Sequence, residues 1–388
     1  MKKTIKAVVS VIALIILLSS AGCKKEPIHH YYVNSSANQR SHLILSMDVG
    51  ETYTVESSLF NGWDIEFDRF ELTTGTKGVV AINKNIITAV SIGKRIIYAE
   101  LVSRKGNVET HYTDLPVAEI YIIDEAVMTP ITTAQQLADI NNDLSGNYIL
   151  NADIDLTDWG DWTSMGEFTG YFINRNGYKI KNLTANSGGY AGLFGFLNCA
   201  YLEGINLENV NIDLTKQENG MFYAGSLAFQ SKAGIIKNCT VEGNIKAKNH
   251  AGGFVANVAG TLFLNCIFKG TVATVFDCSD IQFYDNPPVF PGVAVNYGAS
   301  GGIAATLYGL STNSIEPIIL GCKIEGDITA VYAAGGFVGI VGEWAAMSGK
   351  ALFDTGFNIF DSTFYGTVDA PFKGDFYGCS MSRLNIGI

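Results

Sequence analysis

Glycine, asparagine and cysteine recur at fixed places through the second half of this 388-residue chain. The recurring unit reads Gly-Gly-apolar-apolar, a short polar gap, then Asn-Cys-x-apolar-x-Gly-x-apolar. Clear copies are Asn238-Cys239-Thr240-Val241-Glu242-Gly243-Asn244-Ile245, and Gly252-Gly253-Phe254-Val255 followed by Asn265-Cys266-Ile267-Phe268-Lys269-Gly270-Thr271-Val272. Looser copies are Gly302-Ile303 with Gly321-Cys322-Lys323-Ile324-Glu325-Gly326-Asp327-Ile328, and Gly335-Gly336-Phe337-Val338 with Ser362-Thr363-Phe364-Tyr365-Gly366-Thr367-Val368. The closing glycines, Gly243, Gly270, Gly326 and Gly366, are 27, 56 and 40 residues apart. These steps read as one period, about two, and one with an insertion. A period of roughly 20–50 residues marks a solenoid, propeller or array.

The pattern inside each unit selects among these. Helical repeats need apolar residues at i, i+3 and i+4. Here Cys-x-Val-x-Gly-x-Ile and Cys-x-Phe-x-Gly-x-Val alternate with period two, as a strand with one buried face does. Glycine and asparagine stand at the strand ends, where tight corners need positive φ. A propeller blade takes about 40–45 residues for four strands, so the 27-residue step is too short. The expected fold class is all-β, with a right-handed parallel β-helix over 125–388. Val241, Phe268 and Ile324 should point inward and Lys269 outward. Cys239, Cys266 and Cys322 share one repeat position and should form a buried ladder of free thiols, since in-register side chains point the same way.

These residues carry a resemblance. Gly-Gly-Phe-Val with Asn-Cys-x-x-x-Gly-x-Val resembles the GLUG-type repeat of bacterial surface and adhesin-like proteins. Ile131 to Leu137 resembles the short helix that precedes such arrays, placing a capping helix near 133–141. Asn142–Leu150, Ala152–Leu156, Phe168-Thr169-Gly170, Gly177–Leu183 and Gly192-Leu193-Phe194-Gly195 are similar to the family's leader. The likeness spans about residues 131–370. Two departures stand out. The turn Ile173-Asn174-Arg175-Asn176 is one residue longer than the family's, and Tyr284–Ser300, with Pro287, Pro288 and Pro291, reads as an inserted loop.

The amino end reads as an export signal. Lys2, Lys3 and Lys6 precede an apolar run from Ala7 to Leu18, too short to span a bilayer. Ser20-Ala21-Gly22-Cys23 resembles a bacterial lipoprotein box, with Ser20 where the family prefers Leu. The expectation is a signal peptide over 1–22, a lipidated Cys23 that anchors the chain to a membrane, and a polar tether over 23–41. The resemblance implies the cell envelope, with outer-membrane sorting and surface exposure. Between tether and solenoid, about seven short β-rich runs over 42–124 suggest a β-sandwich. Val49-Gly50-Glu51-Thr52, Val79-Val80-Ala81-Ile82 and Ile87-Thr88-Ala89-Val90 resemble bacterial immunoglobulin-like domains.

Composition agrees with a corner-rich β fold: 42 residues are glycine. The formal net charge is −11 with no basic stripe, which argues against nucleic-acid binding. Candidate chemistry is sparse. No Cys-x-x-Cys pair suggests zinc, and His250 is the one histidine expected in the solenoid. The densest carboxylate run is Asp153, Asp155, Asp158 and Asp161, interleaved with Trp159 and Trp162. It forms a candidate sugar- or calcium-contacting lip, or a strand and first-coil cap. No cofactor, metal or catalytic residue is expected. The resulting expectation is an adhesin-like binding or structural protein, not an enzyme, with an extracellular glycan or protein as partner. The alternative is a carbohydrate-active β-helix enzyme, a polysaccharide lyase or glycoside hydrolase.

Overall fold

The computed structural model describes residues 43–61, 63, 65–75, 78–217, 221–275, 298–309, 318–343 and 358–380. The expected signal peptide, Cys23 and the tether lie outside them. The chain divides into two compact units, Met1–Asp124 and Glu125–Ile388.

The first unit holds seven described strands: β1 (Leu43–Asp48), β2 (Thr52–Thr54), β3 (Arg69–Thr73), β4 (Val80–Asn83), β5 (Ile86–Ala89), β6 (Gly93–Lys105) and β7 (Val108–Ile123). They form a four-stranded sheet, β1-β7-β6-β3, and a three-stranded sheet, β2-β5-β4. β1 runs parallel to β7 and the other pairs are antiparallel. Both sheets feed one core: Leu45, Ile97, Leu101 and Ile120 from the larger, Val80 and Ile87 from the smaller, with Leu59, Phe60 and Trp63 between. Alternation along each strand supplies one apolar face per sheet, and two such faces make a core.

The second unit is a parallel β-helix of four sheets, called walls here. One coil runs through Thr240–Ala247 on the first wall, His250–Gly252 on the second, Val255–Ala259 on the third and Leu262–Leu264 on the fourth. Ile267–Thr274 then returns to the first wall, paired parallel with the strand one coil earlier. The first wall has nine described strands, the second six, the third seven and the fourth eight. A short helix, α1 (Ala134–Asp139), opens the stack, followed by a 3-10 turn over Ile140–Asn142. Thr133 caps α1 by accepting from Gln136 N, while Gln136 Oε1 accepts from Thr132 N at 2.8 Å. Leu137 and Ile140 plug the core beneath it.

The repeat now has a mechanical cause. Val241, Phe268 and Ile324 are fully buried in one column of the core, as are Ile245, Val272 and Ile328. Gly204, Asn238, Asn265 and Gly321 leave the fourth wall with φ of 70°, 53°, 52° and 62°. That left-handed corner explains why Asn or Gly precedes the ladder cysteine. The closing glycines stack directly. A Cβ on Gly270, Gly326 or Gly366 would sit 1.8 Å from the carbonyl oxygen of the glycine one coil earlier.

Two expectations need correction. Gly270 pairs with Gly326 in neighbouring strands, so the 56-residue step is one coil carrying insertions, not two periods. The reading of Tyr284–Ser300 as a loop fails at its end, because Ala299–Gly301 is a second-wall strand paired with His250–Gly252. The prolines of that segment lie outside the described residues.

Candidate functional site

The acidic run lies on the first described coils, and its side chains are largely engaged within the fold. Asp153 accepts from the Lys179 amide at 2.9 Å and pairs with Lys181 Nζ at 2.8 Å. The Lys181 ammonium, then the Lys179 amide, holds its carboxyl below the usual range. Asp155 accepts from the Thr157 hydroxyl at 2.6 Å, the Thr157 amide at 2.9 Å and Asn182 Nδ2 at 2.8 Å. These bonds bring its pKa down to about 2. Asp161 accepts from the Asn186 amide at 2.6 Å and from the Ser187 hydroxyl. Trp162 is buried with Nε1 donating to Leu193 O at 3.1 Å, and Trp159 is partly exposed with its ring 5.6 Å from that of Trp162. Asp158 is exposed. The structure therefore brings Asp155, Thr157, Asn182 and Asn209 into one hydrogen-bonded row. It does not gather the four carboxylates around a common point, which calcium would require.

A second charged group escaped the sequence reading. Glu203 is buried on the outward side of the fourth wall. It accepts from the Tyr201 hydroxyl at 3.0 Å, and Lys237 Nζ stands 3.2 Å from its other oxygen. Arg175 Nη2 lies 3.8 Å away, with Nη1 at 2.6 Å from Glu125. The lengthened turn at Asn174 puts Arg175 there. Asn174 Nδ2 donates to Tyr178 O at 2.6 Å and Gly204 O at 2.8 Å, fixing the turn to the next coil. A signal for the pair was present, since Glu203 and Lys237 are register partners one coil apart. The cations around Glu203 make this a fastener between coils rather than an acid or base waiting for substrate.

His250 is buried on the second wall, with Nδ1 2.6 Å from Asn257 Oδ1 and its ring 5.0 Å from Tyr223. Thr306 also donates to Asn257 Oδ1, at 2.7 Å. Cys239, Cys266 and Cys322 are free, buried thiols, as expected. Burial, then contact with the neighbouring thiols, pushes the Cys266 thiol up, so the ladder is poorly suited to nucleophilic work.

The outward face of the first wall is open to a partner. Glu242, Lys269 and Glu325 form one register column, and Asn244, Thr271 and Asp327 a second. Glu242, Lys269, Asn244 and Asp327 are exposed. Lys323 and Lys269 both approach Glu325, and these ammonium groups hold its carboxyl down. Regular strands thus offer a flat, polar surface with both signs of charge.

Comparison with known proteins bears on the coils themselves. The model of the M26 IgA1-specific metallo-endopeptidase N-terminal region matches residues 131–243. That stretch runs from the entry to α1 through the first coils to the first closing glycine. A solved IgA1 protease is similar over 80% of this chain at 17% identity, with a TM-score of 0.42. The chain covers 27% of that protein's length. No curated protein matches. The family match corrects the expected function. An adhesin-like protein without catalysis, and its carbohydrate-active alternative, give way to a likeness, over residues 131–243, to the N-terminal region of a peptidase family. The expectation that the protein is not an enzyme falls with it.

A metallo-endopeptidase implies a metal. Among the described residues no group of three or more His, Cys, Asp or Glu side chains is placed to hold one. His111 and His250 are engaged by Glu100 and Asn257 respectively. These residues do not fit a peptidase metal, and no catalytic step derives from them.

Proposed function

We propose that this chain is a protease-family protein whose β-helix engages a protein substrate. The match over residues 131–243 carries the reading. The exposed first wall supports it, because parallel strands stacked at about 4.8 Å give long, regular contact surfaces. IgA1 is the substrate to test first, since the family description names it. The full chain, immobilised, should capture IgA1 in preference to IgG. Failure to capture IgA1, or equal capture of IgG, would remove the reading.

The proposal extends to location and repeat type. The basic start, the apolar run and Ser20-Ala21-Gly22-Cys23 support export and lipid anchoring at Cys23, with the solenoid displayed on a bacterial envelope. The Gly-Gly-Phe-Val and Asn-Cys units support kinship with GLUG-type repeats, and the seven-stranded first unit suits an immunoglobulin-like spacer. Detergent-phase partitioning tests the anchor. Cys23→Ala should move the protein to the aqueous phase, and a mutant that stays with detergent would refute it.

A further inference from the structure

Tyr190 is a large aromatic residue standing half-exposed, at 49%, on a wall whose inward side is packed. Its ring is nonetheless held in place. The adjoining third-wall strand, Phe194–Asn198, carries Gly195, and a Cβ built there would come within 3.2 Å of the Tyr190 ring. The ring therefore lies against glycine backbone. From the next coil, the Phe229 ring packs 4.4 Å away at 31°. Phe229 in turn meets Phe196 at 6.5 Å. With one side of its ring packed on Phe229, the half-exposed Tyr190 forms a small platform rather than an enclosing cage.

Planar polar groups border it. Glu167 and Gln230 are the register partners of Phe196 on the coils before and after. Asn198, two residues along from Phe196, donates from Nδ2 to Glu167 Oε1 at 2.7 Å. A carboxylate and two amides provide both acceptors and donors.

We propose that this platform is a binding subsite for a neutral pyranose of a glycan. A pyranose ring has one apolar C–H face and a rim of hydroxyls. The C–H face would lie on Tyr190, and vicinal hydroxyls would reach Glu167, Asn198 and Gln230. The size of the patch favours this ligand. The rings span two coils at a spacing of about 5 Å, far short of the roughly 800 Å² per partner of a stable protein interface. The flat arrangement disfavours an organic cation, which binds best when several ring faces surround it. Because Tyr190 is already held, binding orders little side chain. The subsite stands independently of the peptidase reading, and its test involves neither protein cleavage nor IgA1.

Saturation-transfer NMR on the full chain, with lactose, cellobiose and chitobiose as probes and choline as control, reads it directly. At least one disaccharide should receive saturation, strongest on the protons of one ring face, and choline should receive none. Tyr190→Ala should weaken binding about tenfold or more, as loss of an anchor ring does. Tyr190→Phe should stay within about threefold, because the ring face and not the hydroxyl makes the contact. Val108→Ala, at an exposed position of the first unit, should leave binding unchanged. No transfer to any disaccharide, transfer to choline alone, or full binding by Tyr190→Ala would each overturn the proposal. Both Tyr190 variants change an exposed side chain, and retained cooperative unfolding confirms that they fold.

Discussion

The outward sides of the first and fourth walls belong to the same coils, yet they differ in character. On the first wall, Glu242 and Lys269 are exposed and charged. On the fourth, the corresponding outward residues Tyr201, Ile235, Leu262 and Leu264 are almost fully buried, as are Glu203 and Lys237 among them. The inward columns are alike: Val241, Phe268 and Ile324 behind one wall, Leu202, Ile236 and Phe263 behind the other. A repeat therefore dictates what faces the core, while each wall's outer surface is free to diverge. Charge placed on these two surfaces should behave very differently.

The sharpest way to break the comparison is at Glu203. Removing it leaves Lys237 and Arg175 facing each other without their shared carboxylate. Loss of one partner from a buried ionic group costs about 3–5 kcal/mol. Glu203→Ala should lower stability by that order in urea denaturation. A loss near zero would mean that the fourth wall's outer side is as wet as the first.

Next is the glycine spine of the first wall. Gly270 has φ of 138°, and a side chain there would meet the Gly243 carbonyl oxygen. Gly270→Ala must push two coils apart, and overpacking of this kind costs about 1–3 kcal/mol. An unchanged midpoint would show that the coils are not held at the separation described.

Much of this architecture is legible in the sequence because it is local or periodic. Period-two alternation identified Phe268 as inward and Lys269 as outward. Asparagine at 238 and 265 marked left-handed corners, and a shared repeat position marked the thiol column. Coil counting failed between Gly270 and Gly326, since inserted residues have no period and lengthen a coil without adding one. The surroundings of the acidic run were illegible for another reason. The partners of Asp153 and Asp155 lie one coil away, at Lys181 and Asn182. Carboxylate density says nothing of what stacks upon it. Arg175 was visible only as an extra residue in a turn. The burial of Glu203 depends on what covers the outside of a wall, which alternation does not encode.

Acid titration probes the exposed carboxylates as a group. Asp153, Asp155 and Glu325 all have lowered pKa values in the folded chain. A carboxylate with a depressed folded pKa binds its proton more readily when unfolded, so its contribution is present above its ordinary pKa. That contribution is lost as pH falls toward the folded value. For Asp155 the window runs from the unperturbed 3.8 down to about 2. Stability should be level from neutral pH to about 5 and decline below about 4. Asp155→Asn should make the decline shallower. An identical acid limb in the variant would show that the Thr157 and Asn182 bonds do not persist in solution.

The smallest expected effect is the counterpart of the first. Lys269 stands 3.7 Å from Glu325 with about half its side chain exposed, at 49%. Lys323 already serves the same carboxylate, so Glu325 keeps a cation when Lys269 is removed. Water and salt screen what remains, and exposed pairs contribute little. Lys269→Ala should therefore shift the thermal midpoint by no more than about 2 °C, and added salt should shrink the shift further. Lys237→Ala, on the fourth wall, should destabilise far more and be nearly insensitive to salt, because its carboxylate partner is buried. Equal shifts at the two lysines, or equal salt sensitivity, would erase the distinction between the walls.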